Sequence, residues 1–66
     1  MPAKKGGEIY FEFTTQGSVL KATAIDPATG TEVSVVGPAN PAARAALKTA
    51  AVRKLEFVLR KKRGET

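Results

Sequence analysis

From Pro41 to about Lys62 no glycine or proline interrupts the chain, and six alanines fall within the run. Alanine loses least on entering a helix, so this stretch reads as one long α-helix. Asn40 is a good N-cap, and Pro41 sits at the first helical position, where its missing N–H is one that no helical carbonyl would have met. Gly64-Glu65-Thr66 reads as the stop. At about 1.5 Å per residue such a helix is about 33 Å long. In a chain of 66 residues it must be the principal cover of whatever core the remainder provides. With residues placed at about 100° intervals, Ala43, Leu47, Ala50, Ala51, Leu55 and Val58 form one apolar stripe, and Lys54 lies on its edge.

The remainder reads as strands. Glu8–Thr14 alternates strictly, with Ile9, Phe11 and Phe13 on one side and Glu8, Tyr10, Glu12 and Thr14 on the other, which is the pattern of a half-buried strand. Ser18–Asp26 follows after Gln16-Gly17, an Xaa-Gly link that signals a hairpin. Pairing Thr15 with Ser18 sets Phe13 opposite Leu20, Phe11 opposite Ala22, Ile9 opposite Ala24 and Glu12 opposite Lys21. Asp26-Pro27-Ala28-Thr29-Gly30 forms a second turn, with proline fixing φ early and glycine leaving it in the left-handed region. The third strand, Thr31–Val36, then sets Ala24 opposite Val33 and Ala22 opposite Val35, and Gly37-Pro38-Ala39 closes it. Small Ala22 and Ala24 in the middle strand leave a trough for the helix. The expected fold class is therefore α+β: a three-stranded antiparallel meander, order 1-2-3, packed against one long C-terminal helix (βββα). Residues 1–7 read as a flexible arm, 8–62 as the single domain and 63–66 as a tail. A seven-residue strand spans only about 23 Å, so the last two helical turns are expected to overhang the sheet.

Composition narrows the chemistry. With no cysteine and no histidine, disulfide scaffolds, Cys/His zinc sites, thiol redox chemistry and imidazole acid–base catalysis are excluded. The N-terminus is basic but lacks the apolar segment of about seven or more residues that a secretion signal needs, and no apolar run approaches the roughly 20 residues of a bilayer span. No export and no membrane insertion are expected, and the cytoplasm is the expected compartment. The net charge of +5 is unevenly held. Residues 1–39 carry Lys4, Lys5 and Lys21 against Glu8, Glu12, Asp26 and Glu32. Residues 40–66 carry Arg44, Lys48, Arg53, Lys54, Arg60, Lys61, Lys62 and Arg63 against only Glu56 and Glu65. Such asymmetry bears on anionic partners rather than on fold.

Glu8, Glu12 and Glu32 alternate on the outer sheet face and read as solvated strand carboxylates that discourage edge pairing. Tyr10, Ser18, Ser34 and the threonines have no activating base, and Lys54 reads as an edge lysine reaching for water. No catalytic, cofactor-binding or metal-binding residue is expected, and the protein reads as a non-enzymatic binding module. Its candidate anion-binding residues are Arg53, Lys54, Arg60, Lys61, Lys62 and Arg63, with RNA or DNA the first partner. Phe11 and Phe13 face the core, which leaves no paired surface aromatics on the sheet to stack bases. Phe57 and Leu59, off the main stripe, with a sheet edge, form the alternative: a protein-interaction or homodimer surface.

"FEF" in the first strand, "AIDPATGTEVSVVGPA" across the second turn and third strand, and "RKLEFVL" in the helix resemble a family of short uncharacterised bacterial proteins, mainly alphaproteobacterial. The resemblance covers about residues 7–62, and Ala-Ile-Asp…Thr-Gly…Glu-Val is its most specific part. It implies no activity. A serine hydroxymethyltransferase label carried by some members is one these residues do not support, since a pyridoxal-phosphate site needs a far larger chain. The order of elements also resembles the strand–strand–strand–helix half of double-stranded-RNA-binding domains. There the start of the last helix contacts phosphates, and the matching segment here runs from Pro41-Ala42-Ala43-Arg44 to Lys48. The preceding helix of that domain is absent, and no site is carried over.

Overall fold

The computed structural model describes residues 8–62 and Gly64. The expected arm 1–7, Arg63 and the last two residues of the tail lie outside the described residues. Strands β1 (Tyr10–Gln16), β2 (Val19–Asp26) and β3 (Thr31–Pro38) form an antiparallel sheet in the order β1-β2-β3, followed by the helix α1 (Pro41–Lys62). This is the expected βββα arrangement.

The β2–β3 register is as read from the sequence, with Ala22 opposite Val35, Ala24 opposite Val33 and Asp26 opposite Thr31. The β1–β2 register differs by two residues: Phe13 faces Ala22, Phe11 faces Ala24, and Gln16 faces Val19. Glu12 consequently lies opposite Thr23, and Lys21 opposite Thr14. The cause is the turn. Gly17 is left-handed at φ 63° while Ser18 is not, so glycine occupies the first of two central positions, the requirement of a type II′ hairpin. A shift by two residues keeps every side chain on its face, which is why the hydrophobic pattern alone could not detect it.

α1 packs chiefly on β2 and β3. Leu20, Ala22 and Leu47 form one buried cluster, and Ala24, Val33, Ala51 and Leu55 a second. Leu55 is fully buried, whereas Ala50, expected in the stripe, is exposed. β3 runs two residues beyond the expected Val36. Gly37 faces Leu20 there, and a Cβ at that glycine would come within 3.0 Å of Leu47 Cδ2. Gly37 thus serves the close approach of the helix, and Pro38 is tolerated because it ends an edge strand.

The last two helical turns do not overhang the sheet as expected. From Leu47, seated at Gly37, to Lys62 the helix advances about 22 Å, against about 20 Å of β3 from Gly37 back to Thr31. Val58 and Leu59 therefore still pack on the core, and Lys62 Nζ donates to Thr31 Oγ1 at 3.3 Å. The first turns of the helix also lie on the sheet, with Ala43 half-buried and Arg44 over the Phe13 ring of β1. At this start, Asn40 Oδ1 accepts from the Ala43 N–H at 2.8 Å, the bond an N-cap makes. At the finish, Gly64 is left-handed at φ 85° and donates its N–H to the Lys61 carbonyl at 3.0 Å.

The second turn carries a directed chain of hydrogen bonds. Thr29 Oγ1 donates to Asp26 Oδ2 at 2.8 Å. A hydroxyl has one proton, so the 2.8 Å bond between Thr29 and Thr31 must be donated by Thr31. Thr31 Oγ1 in turn accepts from Lys62. The helix-end cation and the buried carboxylate are thereby joined through two hydroxyls, each bond polarising the next. Asp26 also accepts from the Gly30 N–H through its carbonyl at 2.8 Å, with Gly30 left-handed at φ 74°. The Ala-Ile-Asp…Thr-Gly stretch is accounted for by this turn and its link to α1.

Candidate anion-binding helix face

The uneven charge of the sequence becomes a difference between layers. α1 carries Arg44, Lys48, Arg53, Lys54, Arg60, Lys61 and Lys62 against Glu56 alone, while the strands carry Glu12, Asp26 and Glu32 against Lys21. The helix layer is cationic, and the opposite sheet face, on which no other described element packs, is weakly acidic. That sheet face also holds Tyr10, Val19 and Val36, three of the exposed large apolar residues. Tyr10 donates to Glu8 Oε1 at 3.4 Å.

The cations of α1 fall into three groups. On the β1 side, Arg44 Cζ lies 4.2 Å from the Phe13 ring centre and Lys48 Nζ 5.0 Å from that of Phe11. The two rings stack at 6.5 Å. The helix leaves β1 largely uncovered, so these side chains roof its inner aromatics, the apolar stems lying on the rings and the charged heads reaching water. Neither cation belonged to the expected set. Their spacing of four residues was visible in the sequence, but their aromatic partners are supplied by the tertiary fold.

A second group is tied to the sheet. Lys54 Nζ donates to the Ser34 carbonyl of edge strand β3 at 3.1 Å, and Lys62 ends the chain of hydroxyls described above. Both were expected as anion ligands; both side chains remain exposed, yet each already has a neutral acceptor.

The third group, Arg53, Arg60 and Lys61, faces solvent around Phe57, flanked by the sheet-tied Lys54. The Phe57 ring is 55% exposed. Arg53, Lys54, Arg60 and Lys61 occupy the positions four and three residues before it and three and four after it. Those are the positions whose side chains neighbour a residue on a helix surface, so every one of Phe57's helical neighbours is a cation. Lys61 Nζ lies 5.5 Å from the ring centre. Glu56, the one acid of the helix, is three residues after Arg53 and four before Arg60, where it moderates both. The helix dipole places partial negative charge at this end, which favours the cations themselves and makes the side chains the source of the positive field. Leu59, expected beside Phe57 on an exposed surface, is half-buried on the Ala24–Val33–Ala51–Leu55 cluster instead.

A hollow of about 360 Å³ at the start of α1 is lined by Thr15, Leu20, Ala39, Asn40, Pro41 and Arg44. Arg44 is its one charged side chain. Among the described residues, no helix is long and apolar enough to cross a membrane.

Among the described residues, these features define a two-layer α+β domain with a cationic helix layer packed on one face of the sheet. Within that class the chain belongs to the family of the domain of unknown function DUF6898, whose model matches residues 6–62. The resemblance to an uncharacterised family is met at that level. No curated protein and no solved structure matches the chain.

Proposed function

We propose that the C-terminal half of α1 is the docking face of a non-enzymatic binding module for an anionic partner, with nucleic acid the first candidate and the cytoplasm its setting. The observation that carries this reading is the exposed Phe57 enclosed on its helix surface by Arg53, Lys54, Arg60 and Lys61. A face that only solubilises the protein needs charge but no exposed ring at its centre. The absence of cysteine and histidine from the chain supports binding rather than catalysis.

Anisotropy titration of labelled oligonucleotides tests the reading. If three to five cations meet phosphates, log K should fall linearly with log salt, with a slope of about −2 to −4. Arg53→Gln with Arg60→Gln should flatten the slope by about 1.5, while Arg44→Gln should leave it unchanged. No binding at low salt would overturn the proposal.

An interface with a second protein or a second copy is the alternative. It rests on Phe57 and on Val36, which is 64% exposed on edge strand β3. Sedimentation at rising protein concentration separates the two, because apolar association would persist at high salt where phosphate binding is lost.

A further inference from the structure

The cationic ring and the aromatic at its centre ask different things of a partner. Phosphates satisfy the cations whether a nucleic acid is single- or double-stranded. A phenyl ring gains from an unpaired base face, which a duplex keeps inside its own stack. We infer that the anionic partner is single-stranded nucleic acid and that an unstacked base lies on Phe57; this rests on the anion-binding reading above.

The other aromatics are less available for the task. Phe11 and Phe13 are half-buried, stacked on one another, and roofed by Arg44 and Lys48. Tyr10 is exposed but lies in the acidic sheet layer beside Glu8 and Glu12, where phosphates are repelled. Phe57 alone combines exposure with cations on all sides. It is anchored on a helix whose opposite face is locked by Leu55, so the ring is presented from a rigid element at little entropic loss. Lys61, over the ring in the free protein, is a long side chain that can swing to a phosphate as the base takes its place, exchanging one cation–π contact for a charge-assisted bond. Such stacking is tolerant of sequence, since every base offers a π-face.

Phe57→Ala should weaken binding of a single-stranded homopolymer roughly 5- to 150-fold, the range seen when base-stacking aromatics are truncated. The salt slope should stay as in the parent, because the phosphates counted are the same. Binding of a duplex of equal length should change by less than about twofold. Phe57→Trp should retain affinity, and its fluorescence should quench on addition of single strand. The ring is exposed, so both variants should keep the parent's urea midpoint.

Equal loss on single strand and duplex, or no loss on either, would overturn the inference while salt-dependent binding leaves the anion reading standing. Absence of binding to any oligonucleotide would overturn both. Binding only to phosphatidylserine vesicles would overturn the inference in favour of a lipid surface.

Discussion

Gly37→Ala adds one methyl group at the point where helix and sheet approach most closely. The new Cβ would lie 3.0 Å from Leu47 Cδ2, 3.3 Å from Cδ1 and 3.4 Å from Cγ. Leu47 is 9% exposed in the cluster with Leu20 and Ala22, so it can yield only by pushing on packed neighbours. Overpacking of this kind costs about 1–3 kcal/mol. Gly37 is not among the left-handed glycines, so alanine also restricts the unfolded chain, which returns about 0.4–1 kcal/mol. The expected net is a destabilisation of about 0.5–2 kcal/mol. A double-mutant cycle isolates the clash. Leu47→Ala alone should cost about 2–5 kcal/mol, and in its background the Gly37 substitution should become neutral or stabilising, for a coupling of about 1–2 kcal/mol. Urea unfolding followed by far-UV circular dichroism provides the four values. A domain of this size holds only about 3–5 kcal/mol in total, so a fixed concentration of trimethylamine oxide keeps a native baseline for the weakest variant. Additivity within about 0.3 kcal/mol would show that the helix does not rest on Gly37.

The remaining expectations concern the helix start, the second turn and the cationic face. Asn40→Ala removes the acceptor of the Ala43 N–H and should lower stability by about 1 kcal/mol, with Asn40→Ser restoring most of it in the same urea assay. Thr29→Val breaks the link between Lys62 and the 5%-exposed Asp26. It should cost about 1–3 kcal/mol, while Thr29→Ser, which keeps the hydroxyl, should stay near the parent; equal loss in both would rule out the hydroxyl chain. Glu56→Gln removes the only acid of α1 and should raise oligonucleotide affinity about twofold at low salt, an effect that fades as salt is added. No change at low salt would place the bound anion away from Arg53 and Arg60.

Much of the fold is legible in the chain because its signals are local. The alternation of Ile9, Phe11 and Phe13, the Asp-Pro…Gly turn, and the Asn40-Pro41 start each act over a few residues. Together they determined three strands, one helix, their order and the β2–β3 register. What the sequence could not determine depends on distances between elements. The β1–β2 register turned on which residue pair occupies the hairpin, and a two-residue shift leaves the hydrophobic pattern unchanged. Leu47 docks at Gly37, and this contact sets where the helix lies along the sheet. It places Leu59 and Lys62 against the fold. The candidate site divides in the same way: the spacing of Arg53, Lys54, Arg60 and Lys61 about Phe57 is written in the sequence, because helix neighbours are fixed by backbone geometry. That Phe57 stays open to solvent while Leu59 is covered was decided only by tertiary packing, since a single helix can turn only one flank toward the sheet.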